Sequence, residues 1–291
     1  MDTFQDEAKL ERFRRAVGRI EIDREPQDTR CLDGNTEVRR AQVLTARERV
    51  VATASSSPGR PVVAGIAASV LHGSLWFDPE FRIELLHDLK GSSRHGIGRM
   101  THRYQLASSE YMELDGLLVT TPIRTAFDIG RVTPEWRGLG YLDALHRATA
   151  FSIPALVRYV EAHPGWRHIR QLRAIAPLID GKAESPPESW LRLLMIRGDL
   201  PAPETQIVIP DDKGYEFARA DLGYREQKIG IEYDGDEYHS TEAQRAHDEW
   251  RDTKLRNLGW KVIRVDARRY FDDPCGILVE IEKALHARGA Y

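Results

Sequence analysis

Three acids, Asp221, Glu232 and Asp234, are spaced so that they can meet. Glu232 and Asp234 lie two residues apart in KIGIEYDG. Side chains alternate along an extended strand, so these two share a face and Tyr233 points away. The strand is otherwise apolar, through Ile229, Ile231 and Tyr233. Carboxylates on such a strand are costly unless a cation or a partner neutralises them. Asp221 precedes them across a short turn, YREQK, and antiparallel pairing would bring it opposite Glu232. Two or three converging carboxylates suit a hard divalent cation, which activates water and shields a phosphoryl oxygen. A second arrangement is open: the acids could sit at strand ends, paired with Arg219, Arg225 or Lys228, with Asp234-Gly235 as an ordinary turn.

The elements that must position these acids read as α-β-β-β-α-β-α. DGKAESPPES, at 180–189, is the clearest break in the chain. Ser185 is a good N-cap, and Pro186 suits the first helical position of a helix over 186–198. Strands are predicted at 205–210, 215–224 and 228–235. A long helix follows from Thr241 to Leu258, capped by Ser240 and ended by Gly259. A buried strand at 260–266 and a helix at 274–287 complete the unit. On the long helix, Gln244, Asp248 and Arg251 share a face with Leu255 and Leu258. That polar end can support the acids and touch phosphate, or Asp248 and Arg251 can simply pair. Arg264 on the next strand can contribute likewise. Trp250 falls on the opposite face and is a candidate to pack on the N-terminal half.

The first 180 residues read as α+β. A helix is expected over 47–56, a turn at SPGRP, and an apolar helix over 61–73 stopped by Gly73. FRIELLHD (81–88) alternates as a strand does, and HRYQLA, YMELDG and LLVTTP are further short strands. Helices fill 123–162, broken near Thr133–Pro134 and Pro154, and a further helix covers 167–178. Arg124 and Asp128, four apart at a helix start, suit a local ion pair. His72 suits a helix end. The glycine-rich basic stretch 90–103 is the best phosphate-contacting candidate of this half. The arginines of 12–24 suit a short helix with a solvated face, or an arm that contacts phosphate.

Composition limits the alternatives. The chain has 291 residues, 42 basic against 45 acidic, a net charge of −3 and 41% hydrophobic residues. Mean hydropathy is −0.48. This excludes collagen-like, wholly disordered and histone-like chains. Nucleic-acid binding must come from local patches. No apolar run approaches the length of a membrane span, and MDTFQDEAKL lacks the apolar core of a signal peptide. Cys31 and Cys275 form no CxxC pair, and reduced thiols in a cytoplasmic setting are expected.

FARADLGYREQKIGIEYDGDEYHS, followed by QRAHDEWRDTKLRNLGWKVIRVD, resembles the very-short-patch-repair (Vsr-like) branch of the PD-(D/E)xK nucleases over about 185–287. The resemblance implies a restriction-endonuclease-like fold and metal-dependent cleavage of DNA. It implies that Asp221, Glu232 and the Tyr233 carbonyl hold Mg²⁺ or Mn²⁺, and that Glu188, in ESWLRLL, is the acid of the first core helix. Asp234 stands where most of these enzymes have lysine. It can strengthen metal binding but cannot supply the lysine's positive charge. His239, which ends the DGDEYH turn, is then the candidate general acid or base.

VVAGIAASVLHGSLWF and LLVTTPIRTAFDIGR, with Thr120, Thr121, Pro122, Arg124, Thr125 and Asp128, resemble the abortive-infection (AbiEi-type) antitoxin family over roughly 45–160. The front segment of this chain gives no clear helix-turn-helix. The whole is thus expected to be an α/β protein. An AbiEi-like α+β domain spans 1–180 and a Vsr-like nuclease domain 181–291. The chain is expected to cut DNA, with RNA as another possible substrate, in phage defence or repair. The competing reading is a decayed nuclease that only binds DNA, as an antitoxin-like regulator.

Overall fold

The computed structural model describes residues 45–87, 99–103, 106–235 and 242–290, without the side chains of 99, 101–103 and 242–246. The described chain forms two compact units, which change over between Gly181 and Lys182. Both are mixed α/β, each built on a mixed sheet.

The first unit begins with α1 (Ala46–Ser55), which opens on a capping box between Thr45 and Glu48. Then come β1 (Val62–Ala64), α2 (Gly65–Leu71), β2 (Ile83–His87), β3 (Arg99–Arg103), β4 (Tyr111–Leu114) and β5 (Leu117–Thr120). The helix expected over 61–73 is therefore corrected to a strand followed by a shorter helix. Val62 and Val63 are β-branched and suit a strand. Gly65 then turns the chain at φ 59°, where only glycine is relaxed. It has no room for a side chain either, because a Cβ there would fall 2.8 Å from the Glu84 carboxylate.

The sheet order is β3-β2-β1-β5-β4. The outer pairs are β2–β3 parallel and β4–β5 antiparallel, while β1 runs antiparallel to β2 and parallel to β5. Val63, Leu85 and Val119, from three of these strands, are fully buried together with Ala67 and Ala68 of α2.

Helices α3 (Pro122–Ile129), α4 (Glu135–Thr149), α5 (Ile153–Ala162) and α6 (Ile169–Ile175) follow. The TTPxRTxxD pattern forms the joint between β5 and α3. Thr121 is the N-cap and Pro122 takes the first helical turn. Thr120 and Thr125 share a buried hydroxyl–hydroxyl bond of 2.7 Å. Arg124 is almost wholly buried. Its Nε donates to Asp128 at 2.9 Å and its Nη1 to Glu110 at 2.7 Å, so the expected ion pair is present and extended. Asp128 also accepts from Arg131 at 3.0 Å, and the Tyr159 hydroxyl donates to Glu110. His72 caps the C-terminal end of α2, and its Nε2 sits 2.8 Å from the Thr120 carbonyl. Most of the basic stretch 90–103 and the arginines of 12–24 lie outside the described residues.

The second unit contains α7 (Pro186–Arg197), β6 (Glu204–Pro210), β7 (Glu216–Tyr224), β8 (Ile229–Asp234), α8 (Glu242–Asn257), β9 (Lys261–Asp266), α9 (Ala267–Asp272) and α10 (Pro274–Ala287). Except for the short α9, this is the expected order. Ser185 caps α7 by accepting from the Glu188 N–H. Gly259 follows α8 at φ 81°, a conformation that ends helices cheaply only in glycine. The sheet order is β6-β7-β8-β9, with β8 and β9 parallel and the other neighbours antiparallel. Leu255 of α8 packs with Ile207, Ile209, Ala218 and Ala220. Among the described residues, no helix is long and apolar enough to cross a membrane.

Candidate active site

The β7–β8 ladder runs Tyr224↔Ile229, Gly223↔Gly230 and Leu222↔Ile231. The next step carries Asp221 and Glu232, and there the acid replaces the backbone as partner. Asp221 Oδ2 accepts the Tyr233 N–H at 2.9 Å. Asp221 is close enough to Glu232 to oppose its ionisation. Burial pushes Glu232 up, Arg251 and Arg264 pull it down, and Asp221 and Asp234 push it up again. Burial likewise raises Asp221, against the Tyr233 hydrogen bond and the Arg219 charge. Asp234, nearer solvent, is raised by burial and by Asp266 against Arg264.

Glu188 joins from the first turn of α7 and is only 5% exposed. Its Oε2 accepts the Glu184 N–H and the Gln206 Nε2, both at 2.8 Å. Burial raises it, and the Asp221 charge adds to the rise. Four acids from one helix and two strands thus share one neighbourhood, and all four are held above the usual carboxylate range.

Two guanidiniums face this charge. Arg251 of α8 donates to Glu232 Oε1. Arg264 Nε lies 3.4 Å from Glu232 Oε2 and 4.0 Å from Asp234. The parallel register puts Arg264 beside Glu232. Arg264 is fixed from behind, because its two terminal nitrogens donate to Asp252 at 2.9 and 2.5 Å. This bidentate bond holds Asp252 low. The two arginines therefore differ: Arg264 is clamped by a second carboxylate, whereas Arg251 has Glu232 as its ion-pair partner.

Glu188, Asp221, Glu232 and Asp234 come together, and Arg251 joins them through Glu232 rather than through Asp248. Asp248 is exposed. The Gln244 side chain and His239 lie outside the described residues. Trp250 packs edge-on against Phe217 and beside His247, and remains 54% exposed. Gln206 and Asp252 are additions. A glutamine in TQIVIP looks like ordinary strand alternation, and the role of Asp252 follows only from the β8–β9 register.

The donor chemistry fits a hard divalent cation. Asp221 and Glu232 offer carboxylate oxygens with surplus negative charge around them. Gln206 Oε1 is buried and accepts no hydrogen bond among the described residues. Among the described residues, no three His, Cys, Asp or Glu side chains form a metal cage. Mg²⁺ takes one or two carboxylates and completes its shell with water and phosphate.

The family model REase_MTES_1575, of a restriction-endonuclease-like family, matches residues 209–285. The chain is also similar to two Mycobacterium tuberculosis proteins, the uncharacterized protein Rv2248 of strain H37Rv and the uncharacterized protein MT2308 of strain CDC 1551. Each is 32% identical over 215 residues, which is 72% of this chain and 77% of theirs. The chain belongs to the family of these mycobacterial proteins. Its C-terminal unit carries a restriction-endonuclease-like domain. No solved structure matches the chain. Domains of this kind act on nucleic acid and generally use divalent metal ions.

Proposed function

We propose that the restriction-endonuclease-like domain is a Vsr-like, Mg²⁺- or Mn²⁺-dependent endonuclease that hydrolyses phosphodiester bonds in DNA. The observation that carries this reading is the convergence of Asp221 and Glu232 on adjacent strands. Glu232 is buried and Asp221 partly so, and burial together with neighbouring acids holds both above the usual carboxylate range. Such a pair is expensive to keep unless a cation and a phosphate share its field.

Asp221, Glu232 and the Tyr233 carbonyl would hold the metal. When bound, it supplies a Lewis acid for the phosphoryl oxygens and lowers the pKa of water. Glu188 would orient the attacking water, and Asp234 would tune the site's charge. Arg251 is placed to pass from Glu232 to a phosphate oxygen, while Arg264 stays clamped by Asp252. His239 is proposed as the proton-transfer group. The AbiEi-like reading of the first unit, and a setting in phage defence or repair, belong to the same proposal.

Asp221→Ala and Glu232→Ala should each abolish metal-dependent nicking of DNA while circular dichroism shows a folded chain. Unchanged cleavage by both variants would reject the assignment. Two features favour a second reading: Glu232 is already met by two guanidiniums, and Asp234 stands where the resemblance expects lysine. A wild-type chain that binds DNA in a salt-sensitive way, but neither cuts it nor binds Mg²⁺, would be a regulator. Assays of DNA and RNA side by side decide the substrate.

A further inference from the structure

Gln206 stands out at this site for three reasons. The first is its backbone. It lies inside β6 at φ 52°, between the ladder pairs Thr205↔Leu222 and Ile207↔Ala220. A left-handed residue within a strand is strained, and glutamine is not among the side chains that tolerate this conformation well.

The second is its amide nitrogen, which donates to Glu188 Oε2 at 2.8 Å. That same oxygen accepts the Glu184 N–H. The third is its amide oxygen, which is buried and accepts no hydrogen bond among the described residues. Exchanging the amide's oxygen and nitrogen would not relieve this, because it would set two acceptors, Oε1 and Glu188 Oε2, against each other.

Strain and an unmet buried acceptor on one side chain both act against stability. Glycine would take this backbone without strain and leave no acceptor behind. The strand position of Gln206 also faces the step of β7 that carries Asp221, since the flanking pairs bracket both residues. The cost therefore falls between the two acids, Glu188 and Asp221, whose charges act on each other.

We propose that Gln206 is a positioning residue for hydrolysis: Nε2 fixes Glu188, and Oε1 accepts a hydrogen bond from the water that attacks the phosphodiester. This rests on the nuclease reading above and assigns that reading a residue to aim its nucleophile. The amide takes no proton. The water oxygen bonds to phosphorus as the bond from phosphorus to the leaving oxygen breaks. One water proton goes to the general base, the other stays on the product phosphate, and the leaving oxygen takes up a proton from the general acid. Gln206 fixes only the direction of the attacking oxygen.

The test compares the full-length wild type, Gln206→Gly and Asp221→Ala by thermal melting and by single-turnover nicking with Mg²⁺. Gln206→Gly should melt roughly 2–4 °C higher, because strain is released. Its kcat should fall about 100-fold, as loss of aim predicts. Its KM for DNA should stay near that of wild type, because ground-state binding does not use the amide. Wild-type kcat in Gln206→Gly would overturn the proposal and leave the nuclease reading standing. A lower melting temperature with kcat and KM failing together would also overturn it, marking Gln206 as a strut of the fold. A wild-type chain inactive on DNA and RNA would instead remove the nuclease reading itself.

Discussion

In the first unit, Arg124 lies between Glu110 and Asp128, and Arg131 and Tyr159 complete the group. In the second, Glu188, Asp221, Glu232 and Asp234 share a neighbourhood with Arg251 and the clamped Arg264. The two clusters look alike in composition and differ in how the acids respond. Glu110 is partly buried, yet its hydrogen bonds from Tyr159, Ala107 and Arg124 hold it below the usual carboxylate range. All four acids of the second cluster are pushed up instead. Among the described residues of the first unit, Glu84 is in that condition: burial pushes it up to about 7. A cluster whose charges are met from within holds a fold together. The second, whose acids are pushed up beside a strained residue with an unmet acceptor, is the cluster proposed to take a ligand.

The widest separation of the two clusters should come from Asp221→Ala and Arg124→Ala measured together. Asp221→Ala should lower cleavage by at least about 1,000-fold, as expected for loss of a catalytic metal ligand, with urea unfolding nearly unchanged. Arg124→Ala should cost about 3–5 kcal/mol in urea unfolding, because it leaves two acids of the buried cluster without their shared guanidinium. Its cleavage per folded molecule should not change. The reverse pattern, or equal effects on both readouts, would erase the distinction.

Asp252→Asn should have a smaller effect. It releases Arg264 from its bidentate clamp without touching Glu232 or Asp221. Cleavage should fall by about tenfold, in line with the loss of a group that orients a site residue, with little change in melting. Wild-type rates would show that Arg264 needs no support.

The smallest effect concerns pH. The folded chain holds a proton on Glu84 up to about pH 7, whereas the unfolded chain releases it near 4.5. The native state therefore binds more protons in this window, and the Glu84 contribution to stability falls as pH rises from 4.5 to about 7. Glu84→Gln should flatten that slope in urea titrations. The acids of the second cluster act with the same sign just above the ordinary carboxylate range, so Asp221→Asn should remove part of that decline.

Much of this arrangement was legible before any coordinates. Ser185 and Pro186 announce a helix start, Gly259 a helix end, and the short YREQK turn sets Asp221 against Glu232. Each of these is a local signal. The strand at Val62–Ala64 was hidden because a run of apolar residues fits a helix as well as a strand, and Gly65 decides between them. The order of the first sheet and the Asp252–Arg264–Glu232 chain depend on pairings between distant segments, which periodicity does not carry. Gln206 was hidden for a different reason: its significance lies in a backbone angle and an orphaned oxygen, and neither leaves a mark on residue type.

The most direct test of the central claim is a crystal structure of the chain with Mg²⁺ and a DNA duplex, using Ca²⁺ in place of Mg²⁺ if cleavage must be stalled. Oxygens of both Asp221 and Glu232 should lie about 2.0–2.1 Å from the Mg²⁺ ion, or about 2.3–2.6 Å from Ca²⁺, with Arg251 moved from Glu232 to a phosphate oxygen. A cation bound elsewhere, with Arg251 still on Glu232 and the DNA away from both acids, would contradict it.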